Sequence, residues 1–150
     1  MKYLRKYNES TDSSIIEDLK DIFLDVEEDG FNVYVETLTS LYNYAPVFRI
    51  GIYKSEFPVV SSPNESHKFK IKDVLETVLR SEDYMRSIGY KINYMNSMEV
   101  GCGGNGIGYD TRTISMLFRE KQLLTSTQRT AIQRMISKET FHLRIEFTLV

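Results

Sequence analysis

The sequence predicts an α+β fold: a two-layer sandwich in which a mainly antiparallel sheet of four to five strands is covered by two long helices and one short helix. Three observations predict it. Two segments carry apolar residues at helical spacing. Several shorter segments alternate apolar and polar residues with a period of two, the last over five alternations. The strand-like segments come in tight pairs, which favours antiparallel ladders with helices on one face. At 150 residues the chain is read as a single domain, without repeat or internal boundary.

In the first helix Ile15, Ile16, Leu19, Ile22, Phe23 and Val26 form one stripe. Ser14 and Glu17 have the spacing of a capping box, and Gly30 is the expected stop. The reading is a helix over Ile15 to Asp29, preceded by residues 1–13 as a mobile arm. The opposite face carries Glu17, Asp18, Asp21, Asp25, Glu27 and Glu28, with Lys20 as its only base. Phe31, Val33 and Val35 alternate with polar residues as a half-buried strand. Ser40 to Pro46 connects it to Val47–Tyr53, rich in aromatic and β-branched residues and read as its antiparallel partner. Glu56 to Lys68, with Pro58, Pro63 and several serines, reads as a loop.

The second long helix runs on Ile71, Val74, Leu75, Val78, Leu79, Met85 and Ile88, with Glu82 interrupting the stripe and Gly89 closing it. Tyr90, Ile92, Tyr94, Met98 and Val100 then alternate as a third strand, in which Asn96 falls on the apolar side. Residues 101–110 hold five of the chain's eight glycines and read as a loop between strands. Arg112 to Phe118 reads as a further strand. Thr125 and Gln128 make a second capping box ahead of a short helix on Ala131, Ile132, Met135 and Ile136. Phe141, Leu143, Ile145, Phe147 and Leu149 end the chain as a strand whose loss is expected to destabilise the fold.

Composition excludes several classes. Hydrophobic residues are 41% and charged residues 27%, too apolar for wholesale disorder. No apolar run approaches a membrane span, no signal peptide opens the sequence, and no membrane partner is expected. A single cysteine excludes an internal disulfide and a thiolate zinc cage. The net charge of -2 disfavours nucleic-acid binding, although Arg112, Arg119, Lys121, Arg129, Arg134 and Arg144 make the last third mildly basic. Tyr84, Tyr90, Tyr94 and Tyr109 are candidates for a partner interface.

Two motifs are weighed for ligands. Asp25, Glu27, Asp29, Gly30 and Glu36 fall at positions 1, 3, 5, 6 and 12 of a calcium loop and so resemble an EF-hand loop. The segment after it alternates as a strand where a second helix is needed, and no partner loop exists. An acidic helix end with a glycine cap is preferred, and no metal is expected. Gly101, Gly103 and Gly106 match G-x-G-x-x-G, but a strand follows where a dinucleotide site needs a helix N-terminus, so no cofactor is expected. Gly101, Cys102, Gly103, Gly104, Asn105, Gly106 and Tyr109 are read instead as an interaction loop. Cys102 with His67 or His142 is the one conceivable nucleophile and base, and nothing in the sequence brings them together. The chain is therefore read as non-enzymatic.

The opening Met1-Lys2-Tyr3-Leu4-Arg5-Lys6-Tyr7-Asn8-Glu9 resembles the start of small tailed-bacteriophage proteins and the capsid-targeting peptides of packaged internal proteins, the likeness carried by Met1, Lys2, Leu4, Tyr7 and Glu9. The layout is similar to that of uncharacterised phage proteins: this opening, an acidic helix ending Glu28-Asp29-Gly30-Phe31, a Lys-rich helix start and a terminal strand through Arg144 to Phe147. The resemblance implies a virion-associated, packaged or assembly protein in the host cytoplasm or virion. Other phage proteins, host proteins or a second copy of the chain would be its partners. The alternative is a host-takeover or anti-defence protein binding a host factor or small ligand.

Overall fold

The last strand of the chain lies at the centre of its main sheet. The computed structural model describes residues 2–39, 45–54, 67–98, 107–109, 117 and 123–150. In chain order these form helices α1 (Lys2–Ile22) and α2 (Leu24–Glu28), strands β1 (Asn32–Thr39), β2 (Pro46–Tyr53) and β3 (Phe69–Lys70), and a 3-10 turn (Ile71–Asp73). Helix α3 (Leu75–Ser87), strands β4 (Tyr90–Met98) and β5 (Ile107–Tyr109), helix α4 (Ser126–Ser137) and strands β6 (Glu139–Thr140) and β7 (His142–Leu149) follow. The fold is α+β. The main sheet has the order β1-β2-β7-β4-β5 and is antiparallel throughout, and β3 pairs with β6 in a small second sheet. Among the described residues no helix is long and apolar enough to cross a membrane.

Helix α1 starts at Lys2, so Ser14 lies inside it and caps nothing. No Gly or Pro interrupts residues 2–14, the stretch read as an arm, and the helix runs through it. The stripe is as expected: Ile15, Leu19, Phe23 and Val26 are buried. A turn at Phe23 divides the segment into α1 and α2. Its end is a Schellman motif. Gly30 takes φ +90, its N–H donates to the Glu27 carbonyl at 3.0 Å, and the Phe31 N–H donates to the Val26 carbonyl at 3.2 Å. Phe31 and Val26, the hydrophobic pair of that motif, are both buried.

The predicted second helix is split into the 3-10 turn and α3 at Val74. Glu82, the interruption in its stripe, is indeed buried, and its carboxylate is taken by Arg86 one turn on. Thr125 and Gln128 form the expected capping box at the start of α4, side chain to backbone in both directions at 3.2 and 3.0 Å.

Strand β4 departs from the expected alternation. Ile92 pairs with Phe147 and Tyr94 with Glu146, so Asn93 is an extra residue, a β-bulge. The bulge flips the facing of everything after it. Met95 and Ser97 are buried, while Tyr94 and Asn96 lie on the other face. Asn96, out of place in the simple pattern, marks this register change. In the expected Arg112–Phe118 strand only Leu117 is described, and it is helical and buried, which overturns the strand there. So short a run of mixed apolar residues does not separate the two periods.

One core fills the space between helices and sheet. It joins Leu19 and Phe23 of the first helical segment, Val78 and Met85 of α3, and Met135 and Ile136 of α4 to Phe48, Ile50 and Ile52 of β2 and Leu143, Ile145 and Phe147 of β7.

Candidate functional site

Because side chains alternate along a strand, the residues between these core positions share the face turned away from the helices. Register brings them into rows. Glu36 of β1, Arg49 of β2, Glu146 of β7 and Tyr94 of β4 form one row. Tyr34, Gly51, Arg144, Asn96 and Gly108 form the next. Asn32, Tyr53 and His142 begin a third.

Three aromatic rings gather at one end. The Tyr34 hydroxyl lies 3.3 Å from His142 Nε2. The Tyr34 and Tyr53 rings stand 5.9 and 6.0 Å from the imidazole, centroid to centroid. The Tyr34 ring crosses directly over Gly51, where any Cβ would overlap it. His142 is only 4% exposed. Burial, and then the positive charge of Arg144, push its pKa down to about 4, so the imidazole is neutral at neutral pH.

At the other end Arg49 holds two carboxylates. Its Nε donates to Glu146 at 2.8 Å and a terminal nitrogen to Glu36 at 3.0 Å. Burial opposes the charge on Arg49, but the two carboxylates outweigh it and its pKa is raised. Between the two groups stands Arg144. Among the described residues no carboxylate pairs with it, and its Nε is buried with no hydrogen-bond partner. The face thus offers a neutral imidazole–phenol pair, a satisfied ion cluster and a guanidinium whose Nε has no partner.

The residues singled out in the sequence are scattered relative to this face. Asp25 lies in α2 and pairs with Arg80 at 2.9 Å, while Glu36 is engaged with Arg49. Asp25, Glu27, Asp29 and Glu36 do not converge; no group of three metal-ligating side chains occurs among the described residues. Gly101, Cys102, Gly103, Gly104, Asn105 and Gly106, with Arg112, Arg119 and Lys121, lie outside the described residues, as do residues 56–66 of the predicted loop. Tyr109 sits on β5 and its hydroxyl meets Ser97 Oγ at 2.7 Å, so it ties two strands together. Tyr90 is in the core. Tyr84 pins α3 to α1 through Asp18 at 2.5 Å; burial, then Asp18, push its pKa up to about 12. His67 has a buried Nδ1 with no partner. Arg129 and Arg134 are exposed on α4.

Sequence reasoning placed His142 and Arg144 on the polar side of the last strand but missed their association with Tyr34, Tyr53 and Asn96. That association depends on β7 entering between β2 and β4, strands far from it in sequence. Comparison with family models, curated proteins and solved structures finds no match to this chain.

Proposed function

We propose that this is a non-enzymatic tailed-bacteriophage protein that acts through protein–protein contacts as a virion-associated, packaged or assembly component. One structural observation carries the contact reading. Ile88, Leu149 and Val150 are 38%, 51% and 82% exposed at the corner where β7 ends beside Gly89. The Val150 N–H donates to the Gly89 carbonyl at 2.9 Å, which fixes the corner to the sheet. Single exposed apolar residues are ordinary, but a fixed group of them suits a partner surface. The phage assignment rests on the sequence resemblance. Mass spectrometry of purified particles, with peptides counted against the major capsid protein, tests it. The expected result is a constant copy number that Val150→Asp lowers without changing the melting temperature. Absence from particles despite abundance in infected cells ends this reading.

The alternative, a host-takeover or anti-defence protein, is favoured by the exposed acidic face of α1 and α2. Glu17, Asp18, Asp21, Asp25, Glu27 and Glu28 are all exposed. Such a face suits competition for a basic surface. Neutralising Glu17, Asp21, Glu27 and Glu28 spares the Tyr84 and Arg80 contacts. On this alternative the four changes abolish capture of a host factor, and a packaged component is unaffected.

A further inference from the structure

We propose that the sheet face away from the helices holds a binding site for a small oxyanion, a carboxylate or phosphate group, with Arg144 as its cation. The argument begins with charge. Glu146, two residues along the same face, is the nearest carboxylate in sequence to Arg144, and it is committed to Arg49 at 2.8 Å through Nε and again through a terminal nitrogen. Glu36, on the same face, also goes to Arg49. Among the described residues two carboxylates therefore serve one arginine and none serves the other. The Arg144 Nε–H is closed off without a partner, but the residue as a whole is only half-buried, so an anion would meet the terminal nitrogens of the guanidinium, which no described carboxylate pairs.

Shape agrees with charge. In register, Arg144 lies between Gly51 on β2 and Asn96 on β4, and Gly108 on β5 lies beyond Asn96. Two positions of this row are glycine, Gly51 beside Arg144 and Gly108 at the far edge. The Tyr34 ring fills the space over Gly51, but no described atom comes within 4 Å of where a Cβ of Gly108 would stand. The row is thus walled by Tyr34, Tyr53 and His142 at one end, and at the other Gly108 is exposed. Donors face it as well. Asn96 Nδ2 donates to the Tyr94 hydroxyl at 2.7 Å, which leaves the phenol proton to be given to an acceptor. The planar guanidinium matches a carboxylate or a phosphate in two parallel hydrogen bonds. The neighbouring imidazole is neutral, so it neither competes with Arg144 for the anion nor repels it.

The test follows the Arg144 Nε–Hε cross-peak of the intact protein by NMR while inorganic phosphate, and separately acetate, is added at constant ionic strength against sodium chloride. A saturable shift in the millimolar range is expected with at least one of them, accompanied by the Asn96 side-chain amide. Saturation by phosphate alone assigns a phosphate ligand, and saturation by acetate alone a carboxylate. Arg144→Gln is expected to weaken binding at least about tenfold, read from the Asn96 amide, and Arg144→Lys to weaken it less. The proposal is overturned by the absence of a saturable shift with either anion, or by an equal response to chloride. An Asn96 response in folded Arg144→Gln as large as in the parent chain overturns it too. The parent titration needs no variant, so it decides the matter even where Arg144→Gln fails to fold.

Discussion

The two faces of β7 are both largely hidden from water, for opposite reasons. Leu143, Ile145 and Phe147 are fully buried against the helices, where contact is apolar and close-packed. On the reverse face His142 is buried against the Tyr34 and Tyr53 rings, Glu146 is half-buried against Arg49, and Arg144 is half-buried between them. The first face stabilises through dispersion and the hydrophobic effect, which depend little on pH or salt. The second depends on hydrogen bonds and charge, and it leaves one group unsatisfied. The same eight residues therefore hold the fold on one side and carry specific chemistry on the other. Variants that strike one face and spare the other measure that division.

The largest effect is expected on the core face. Phe147→Ala removes a fully buried ring from the central strand and is expected to cost about 3–5 kcal/mol, read from urea unfolding. A chain ending at Thr140 loses β7, the partner of both β2 and β4, and is expected to show no cooperative thermal transition. A truncated chain that still melts cooperatively means that the core does not depend on β7.

The core face of β7 was legible in the sequence because five alternations with strong strand formers admit one facing. The first helix was legible from its stripe, and its end from Gly30, since a Schellman cap needs a residue that tolerates positive φ. Its start was not. Ser14 and Glu17 have cap spacing, but a cap acts only where a helix begins, and residues 2–13 contain no Gly or Pro to end the helix before it. In β4 a single extra residue, Asn93, reversed the facing of Met95 and Ser97. The misplaced Asn96 was its trace, readable only once the partner strand showed the register. The outer-face site was hidden for a related reason. Tyr34 and His142 are 108 residues apart, and only the strand order puts them in contact.

Next in size is the response of the outer face to acid. The His142 pKa is about 4 in the folded chain against an ordinary 6.5, so the unfolded state binds more protons between these values. Stability contributed by the neutral imidazole is complete above pH 6.5 and falls as the pH drops towards 4, by about 2–3 kcal/mol. Below pH 4 this contribution changes no further. Urea unfolding of the parent chain and of His142→Asn across that window isolates it, because other carboxylates titrate in both. Parallel pH profiles show that His142 is not protonated on unfolding. Gly51→Ala follows, at about 1–3 kcal/mol, since the new methyl displaces the Tyr34 ring from His142. Combining it with Tyr34→Ala is expected to remove most of that cost, whereas additive effects separate the glycine from the ring.

The smallest effects compare two ion pairs, one on each side of the sheet. Arg49 and Glu146 are 24% and 18% exposed, while Arg80 and Asp25 are 48% and 70% exposed. An exposed pair gains little over water and loses side-chain entropy, so Asp25→Asn is expected to change stability by less than about 0.5 kcal/mol. Glu146→Gln weakens two charge-assisted contacts in a shielded place and is expected to cost about 1–2 kcal/mol. It also leaves Arg49 with Glu36 alone, so the loss shrinks little in high salt, while the small Asp25 effect vanishes there. Equal losses in the two variants, measured by urea unfolding at low and high salt, mean that the outer face is as wet as the helical surface. An anion at Arg144 would then meet water on every side and bind only weakly.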